Sequence, residues 1–209
     1  YLVEDGCELD ETVAAAVASF GDICMLQWLK SKGCSFGSSS CEAAARSGAR
    51  GVLEWLHEQN CPWDAFVSLA AARRGDLATL QWLKEKGCPV DAKALDSAAH
   101  GGHINVVKWC RSLHIPWTDL ARELAARNGH LDILMWAREQ GFAWSPTACK
   151  GAVAGGRFGI LQWCRANGCD WDVTTCLEAA SKGHFEILKW ARGNGGPMDG
   201  LYSCCEAVR

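Results

Sequence analysis

The chain has 209 residues, 49% hydrophobic and 22% charged, with a formal charge of −3. That is the make-up of a globular chain with ample material for a core. The slight acidity argues against a dedicated nucleic-acid binder, which carries a basic excess, and no apolar run nears the roughly 18 residues that suggest a membrane insertion. Thirteen cysteines and eleven tryptophans stand out, and their placement decides what they mean.

In chain order, residues 1–9 read as a partial repeat: Tyr1-Leu2 with Gly6-Cys7 match the end of a second helix whose beginning is not in the chain. From residue 10 a unit of 27 residues recurs seven times, through residue 198. Its beat is kept by Trp28, Trp55, Trp82, Trp109, Trp136, Trp163 and Trp190, and independently by Gly21, Gly48, Gly75, Gly102, Gly129, Gly156 and Gly183. Self-similarity at such a fixed period is the mark of a stacked array.

Each unit predicts two short helices. The first opens at Asp10, Gly37, Asp64, Asp91, Thr118, Ser145 or Asp172. Six of these seven residues offer a side-chain oxygen to the unpaired N–H groups of a first turn. The residue before each cap is Leu9, Phe36, Trp63, Val90, Trp117, Trp144 or Trp171, placed to staple the incoming chain against the helix. The first helix closes on a small pair, as in Ala44-Ala45, Ala71-Ala72, Ala98-Ala99, Ala125-Ala126 and Ala179-Ala180, and then the repeat glycine. Small side chains allow close helix approach, and the glycine can take positive φ and end the helix.

The second helix is amphipathic. In the fifth unit Leu131, Ile133, Leu134, Trp136 and Ala137 form an apolar stripe, with Asp132, Arg138 and Glu139 outside it. Gly33, Gly87, Gly141, Gly168 and Gly195 close these helices, and the tryptophan column is expected to form an internal ladder beneath them. Residues 199–209 read as a further partial repeat, Cys205-Glu206-Ala207-Val208 matching the start of a first helix. The expectation is an all-α solenoid of stacked antiparallel helix pairs, stabilised by repeats and their interfaces, with more repeats or another domain flanking it.

These residues resemble the ankyrin-repeat family. Glu178-Ala179-Ala180, followed by Lys182-Gly183-His184-Phe185-Glu186-Ile187-Leu188, is similar to that family's helix–glycine–histidine core, and Gly102-His103 and Gly129-His130 repeat it. Gly87-Cys88-Pro89-Val90-Asp91 resembles the stretch that joins one repeat to the next. Family repeats run about 33 residues. These are six shorter where the β-hairpin finger would stand, and Trp replaces a late Leu, as in the short Trp-containing repeats of protists and large DNA viruses. The resemblance implies shortened or absent fingers, first helices on the concave face, a structural role near the loop for His103, His130 and His184, and a function in binding another protein.

No chemistry-bearing set competes with that reading. Cys7, Cys34, Cys61, Cys88 and Cys169 share a loop column, and Cys41, Cys149 and Cys176 a helix column. Stacked copies about 8–10 Å apart cannot be bridged by disulfides, which need Cα atoms within about 7 Å. The cysteines read as small buried apolar groups in a reducing, intracellular, cytoplasmic setting. No C-x-x-C pair supports zinc: Cys204-Cys205 are adjacent, and Cys164 and Cys169 lack a partner pair. No catalytic triad recurs, and Gly101-Gly102 and Gly155-Gly156 lack the Lys-Ser/Thr of a phosphate loop. Neither a metal, a cofactor nor a small-molecule substrate is expected.

The candidate site comes from variation between copies, since surface columns vary where core columns do not. Two before the repeat glycine, Arg46, Arg73, His100 and Arg127 form a central row with Arg74 beside it; six before, Glu42, Asp96, Glu123 and Lys150 vary in charge, alongside Leu69. Arginine pairs well with carboxylate and phosphate, so the row is expected to dock an acidic or phosphorylated segment of a partner. The competing account is a solvated face whose charges Glu42, Asp96 and Glu123 balance. Trp63, Trp117, Trp144 and Trp171 read as staples or, if exposed, as contact hot spots. The alternative function is a structural subunit of a larger assembly, permanently bound through its loops or open ends.

Overall fold

A computed structural model describes residues 9–143 and 145–196, and among these are fourteen α-helices and no strand. They come in pairs: α1 (Glu11–Phe20) with α2 (Ile23–Ser31), α3 (Ser38–Ser47) with α4 (Arg50–Glu58), and α5 (Ala65–Arg74) with α6 (Leu77–Glu85). Next are α7 (Ala92–Gly101) with α8 (Ile104–Ser112), α9 (Asp119–Asn128) with α10 (Leu131–Glu139), α11 (Thr147–Ala154) with α12 (Phe158–Ala166), and α13 (Val173–Ser181) with α14 (Phe185–Gly193). The expectations placed on Tyr1, Leu2, Gly6, Cys7, Trp144 and residues 199–209 fall outside the described residues.

Helix starts follow the caps. Asp10, Asp64, Asp91, Thr118 and Asp172 each accept a backbone N–H of the first turn. Ser145 also accepts a backbone N–H, that of Thr147 at 3.4 Å, but its helix starts later than the others. Pro146 follows it and takes helical angles without a side-chain cap bond, so α11 begins only at Thr147. The repeat glycines stop the odd helices in the left-handed region, Gly48 at φ 81 and Gly75 at φ 81.

Helices of eight to ten residues are marginal alone, so the array must supply their stability. Each odd helix packs directly on the next odd helix, from α1 through α13, whereas even helices approach one another less closely and pack mainly on their own odd partners. The odd row can close up because its inward residues are alanines, Ala44, Ala71, Ala98 and Ala125 among them, all fully buried.

Between the rows lie Leu26 and Leu29, Leu53 and Leu56, Leu80 and Leu83, Val106 and Val107, Ile133 and Leu134, and Leu161. Fully burying side chains of this size is worth about 1.5–3 kcal/mol each. The tryptophans expected among them lie at the margin. Trp55, Trp82, Trp109, Trp136, Trp163 and Trp190 are half-buried, and Trp28 is 40% exposed. Each stands one residue before or three residues after an inward position, about a quarter-turn off the stripe. Leucine fills the space between the rows, and the indole seals its edge.

The loop cysteines do more than fill volume. The thiols of Cys34, Cys61, Cys88 and Cys169 donate to the carbonyls of Asp10, Gly37, Asp64 and Ser145, at 3.3, 3.2, 3.5 and 3.3 Å. Each weak bond ties the end of a unit back to the residue that opens it.

Candidate functional site

The odd row projects one outward side chain per unit at the position two before the glycine. Glu42 and Arg46 stand one turn apart on α3 and form an ion pair. One unit later on α5, Leu69 replaces the acid and Arg73 the base. The result is an open groove of about 320 Å³ between α3 and α5, lined by Glu42, Arg46, Leu69, Ala70, Arg73 and Arg74. Arg46, Arg73 and Arg74 are exposed.

The arginines differ in their surroundings. Glu123 pairs with Arg127 at 2.6 Å on α9, as Glu42 does with Arg46. Arg73 has no carboxylate within ion-pair distance among the described residues. Arg74 leans across to α3: a Cβ built on Gly48 would stand 2.4 Å from its Nε. The reason lies in a neighbouring column. His103 and His130 each place Nε2 3.0 Å from a carbonyl of the preceding unit, that of Arg73 and that of His100, and Arg157 Nε donates to the Arg127 carbonyl at 3.2 Å. Carbonyl oxygen only accepts, so both imidazoles carry the proton on Nε2. The third unit has Asp76 at that position, too short to cross, and Arg74 covers Gly48 instead. The role that the resemblance implied for His103 and His130 is thus a bond between units, beyond a bond within one loop.

The other site residues do not join this groove. His100 is half-buried on α7; burial first, then the charge of Arg73, the proximity of His130 and the charge of Arg127, hold its pKa below the usual value. Lys150 is half-buried on α11. Asp96 corrects the expectation of an exposed balancing charge: it is 9% exposed, and its carboxylate accepts the Thr118 hydroxyl. Burial raises its pKa, with the Thr118 bond opposing. Variation in its column is therefore partly interior variation.

The loop tryptophans turn inward. Trp63 stacks on His57 at 4.3 Å and meets Trp82 edge-on at 5.7 Å; Trp117 meets Trp136 at 6.2 Å; Trp171 meets Trp190 at 5.5 Å and lies under the Arg165 guanidinium at 4.5 Å. All three are half-buried. Trp144 lies outside the described residues.

Two features escaped the sequence reading. Leu69 and Ala70 give the α3–α5 groove an apolar side; the signal was Leu69 standing between Glu42 and Asp96 in its column. On the even row an open groove of about 480 Å³ lies between α8 and α10, lined by Lys108, Arg111, Ser112, Trp136, Gln140 and Phe142. Of its two cations Arg111 is tied down, donating to the Ile115 carbonyl, as Arg165 does to that of Cys169 at 2.6 Å.

Among the described cysteines no disulfide forms, and burial raises Cys88 and Cys110 to about 11. The thiols that do meet come from different columns, Cys41 with Cys61 at 3.5 Å and Cys149 with Cys169 at 3.4 Å. No group of three or more His, Cys, Asp or Glu able to hold a metal occurs among the described residues. No described helix is long and apolar enough to cross a membrane.

Residues 68–109 match the family of ankyrin repeats (many copies). No curated protein matches the chain. Among solved structures, the pentatricopeptide repeat protein PPR10 in complex with an 18-nt psaJ RNA element is similar over 99% of this chain, at 14% identity and a TM-score of 0.42, and a cysteine-to-serine variant of PPR10 gives the same values. The chain spans 37% of that protein's length.

Proposed function

We propose that this chain, which carries ankyrin repeats, is a protein-interaction module whose odd-helix row docks an acidic or phosphorylated segment of a partner protein. One observation carries the reading: on the tight odd row Arg73 opens into a groove with no carboxylate within ion-pair distance among the described residues, because the acid lining that groove, Glu42, is paired with Arg46. A guanidinium in that position is available to an incoming anion. The buried thiols suit a reducing compartment.

The test is capture from native extract with the whole chain, compared with the double variant Arg73→Glu, Arg127→Glu. Arg73 is exposed and Arg127 half-buried beside Glu123, so a thermal melt of the variant accompanies the capture to show that it is folded. Loss of a discrete captured protein supports the reading, and unchanged capture overturns it. A second reading, a subunit held permanently in an assembly, draws on Phe20, Phe66, Leu120 and Phe185, exposed at 84%, 51%, 51% and 55%. Light scattering separates the two: a monomer at micromolar concentration favours the module.

A further inference from the structure

We infer that the α3–α5 groove reads a phosphorylated residue with an apolar neighbour, a narrower specificity that rests on the interaction reading above. The first argument is charge. Three guanidiniums, Arg46, Arg73 and Arg74, face one carboxylate, Glu42, which leaves two positive charges around the groove. A phosphomonoester carries about −1.5 to −2 at neutral pH and cancels that excess. A single carboxylate leaves half of it unmatched.

The second argument is placement. The carbonyl of Arg73, near the end of α5, would repel an anion, but His103 Nε2 already donates to it at 3.0 Å. Arg74 is held over Gly48, at the end of α3, so cationic groups face the groove from both helices. Arg46 is held by Glu42 through the i,i+4 pair. Arginine's planar fork suits the oxygens of a phosphate better than a point charge would.

The third argument is the other wall. Leu69 and Ala70 place apolar surface beside the cations, where Glu42 and Asp96 stand in the units before and after. A volume of about 320 Å³ is at the low end for ligand pockets; it admits a phosphorylated side chain and one apolar neighbour. The occupant is thus a short segment of a partner protein in which phosphoserine or phosphothreonine adjoins Leu, Ile, Met or Phe.

The experiment exposes the whole chain to three immobilised peptide libraries with degenerate flanks, the fixed central residue being phosphoserine, serine or aspartate. The expected result is at least tenfold preference for phosphoserine over serine, a weaker response to aspartate, and enrichment of large apolar residues beside the phosphate. Arg73→Ala should lower phosphoserine retention about tenfold. Leu69→Ser should keep the phosphate dependence and lose the apolar selection. Equal retention of the aspartate and phosphoserine libraries overturns the phosphate specificity while the interaction reading stands. Equal phosphopeptide retention by Arg73→Ala overturns the assignment to this groove. If no library is retained while the Arg73→Glu, Arg127→Glu variant still loses its captured protein, this inference falls alone. Thermal melts of each variant confirm that it is folded.

Discussion

The odd and even rows are cut from one 27-residue unit, yet they solve opposite packing problems. The odd row brings helices together, so its inward positions are alanine and its helix ends are glycine. The even row keeps its helices apart, so the space is filled by leucine, isoleucine and valine and edged with half-buried tryptophan. Tight packing fixes the backs of the odd helices and lines up their outward side chains, one per unit. That is why the variable arginine row stands there, whereas on the even row Arg111, Arg138 and Arg165 donate to loop carbonyls, those of Ile115, Asn167 and Cys169.

The largest expected effect tests the filled row. Leu80→Ala removes a fully buried side chain of α6, and the helices around it cannot close up without breaking their fit to the odd row. A loss of about 2–5 kcal/mol is expected in urea unfolding. A loss near the lower bound at every even-row leucine would mean that the row collapses, and the contrast between the rows would weaken.

The tight row gives the next largest effect. Gly151 on α11 and Gly155 at its C-cap face the backbone of α9: an added Cβ would stand 2.3 Å from the Glu123 carbonyl oxygen and 1.9 Å from that of Arg127. Helix propensity alone would make Gly151→Ala stabilising by about 1 kcal/mol. Overpacking outweighs it, and a net loss of about 1–3 kcal/mol is expected. A gain in melting temperature would show that the rows do not differ in the way described.

A smaller effect concerns charge inside the tight row. Asp96 is an acid whose folded pKa lies above its ordinary value because burial disfavours its charge. Its burial penalty is therefore absent at pH below the ordinary carboxylate value and grows as the pH rises through the raised one. Asp96→Asn keeps an acceptor for Thr118 and removes the charge. The variant should be more stable than the parent at pH 7 and equal to it at pH 3, by urea unfolding at each pH. The caps Asp10 and Asp172 have lowered pKa values through hydrogen bonds from Thr12 and Thr174, so their contribution runs the other way and fades in acid. Equal stability at pH 7 would remove Asp96 from the interior.

Much of this architecture was legible in the sequence because period and caps are local. The 27-residue beat, the aspartate caps and the positive-φ glycines each need only a few neighbouring residues. Depth is not local, and there the reading failed. Periodicity places Trp82 on the same helix as Leu83 without saying that the indole is too large for the gap. Copy-to-copy variation cannot separate an exposed Glu42 from a buried Asp96, whose partner Thr118 lies in the next unit. Equally hidden was the 20-residue offset that brings Cys41 to Cys61, because it depends on how the loop folds back under its own first helix. The arginine row was legible as a column, but the α3–α5 groove depends on Leu69 and on an aspartate too short to bridge units.

The smallest expected effect returns to the two rows through their glycines, which share left-handed φ but differ in surroundings. On the odd row a Cβ at Gly75 would stand 2.4 Å from His103 Nδ1, and one at Gly102 2.5 Å from the His130 ring. On the even row Gly33, Gly87, Gly141 and Gly168 have nothing within 4 Å. Gly21, Gly129 and Gly183 of the odd row are less crowded, but among the described residues the even column is where other residues stand, Asn60 at φ 58 and His114 at φ 62. The left-handed conformation costs a residue with a Cβ roughly 1–2 kcal/mol, while glycine loses more chain entropy on folding, about 0.5–1 kcal/mol. The His114 side chain is exposed, and its N–H to the Arg111 carbonyl at 2.9 Å survives replacement. His114→Gly is thus expected to stabilise by up to about 1 kcal/mol, and Asn60→Gly by less, since asparagine tolerates this region better. The reverse change, Gly75→Asn, meets both the φ cost and the His103 ring, and should destabilise by more than Gly87→Asn. Equal costs at Gly75 and Gly87 in urea unfolding would show that contact between units does not distinguish the rows.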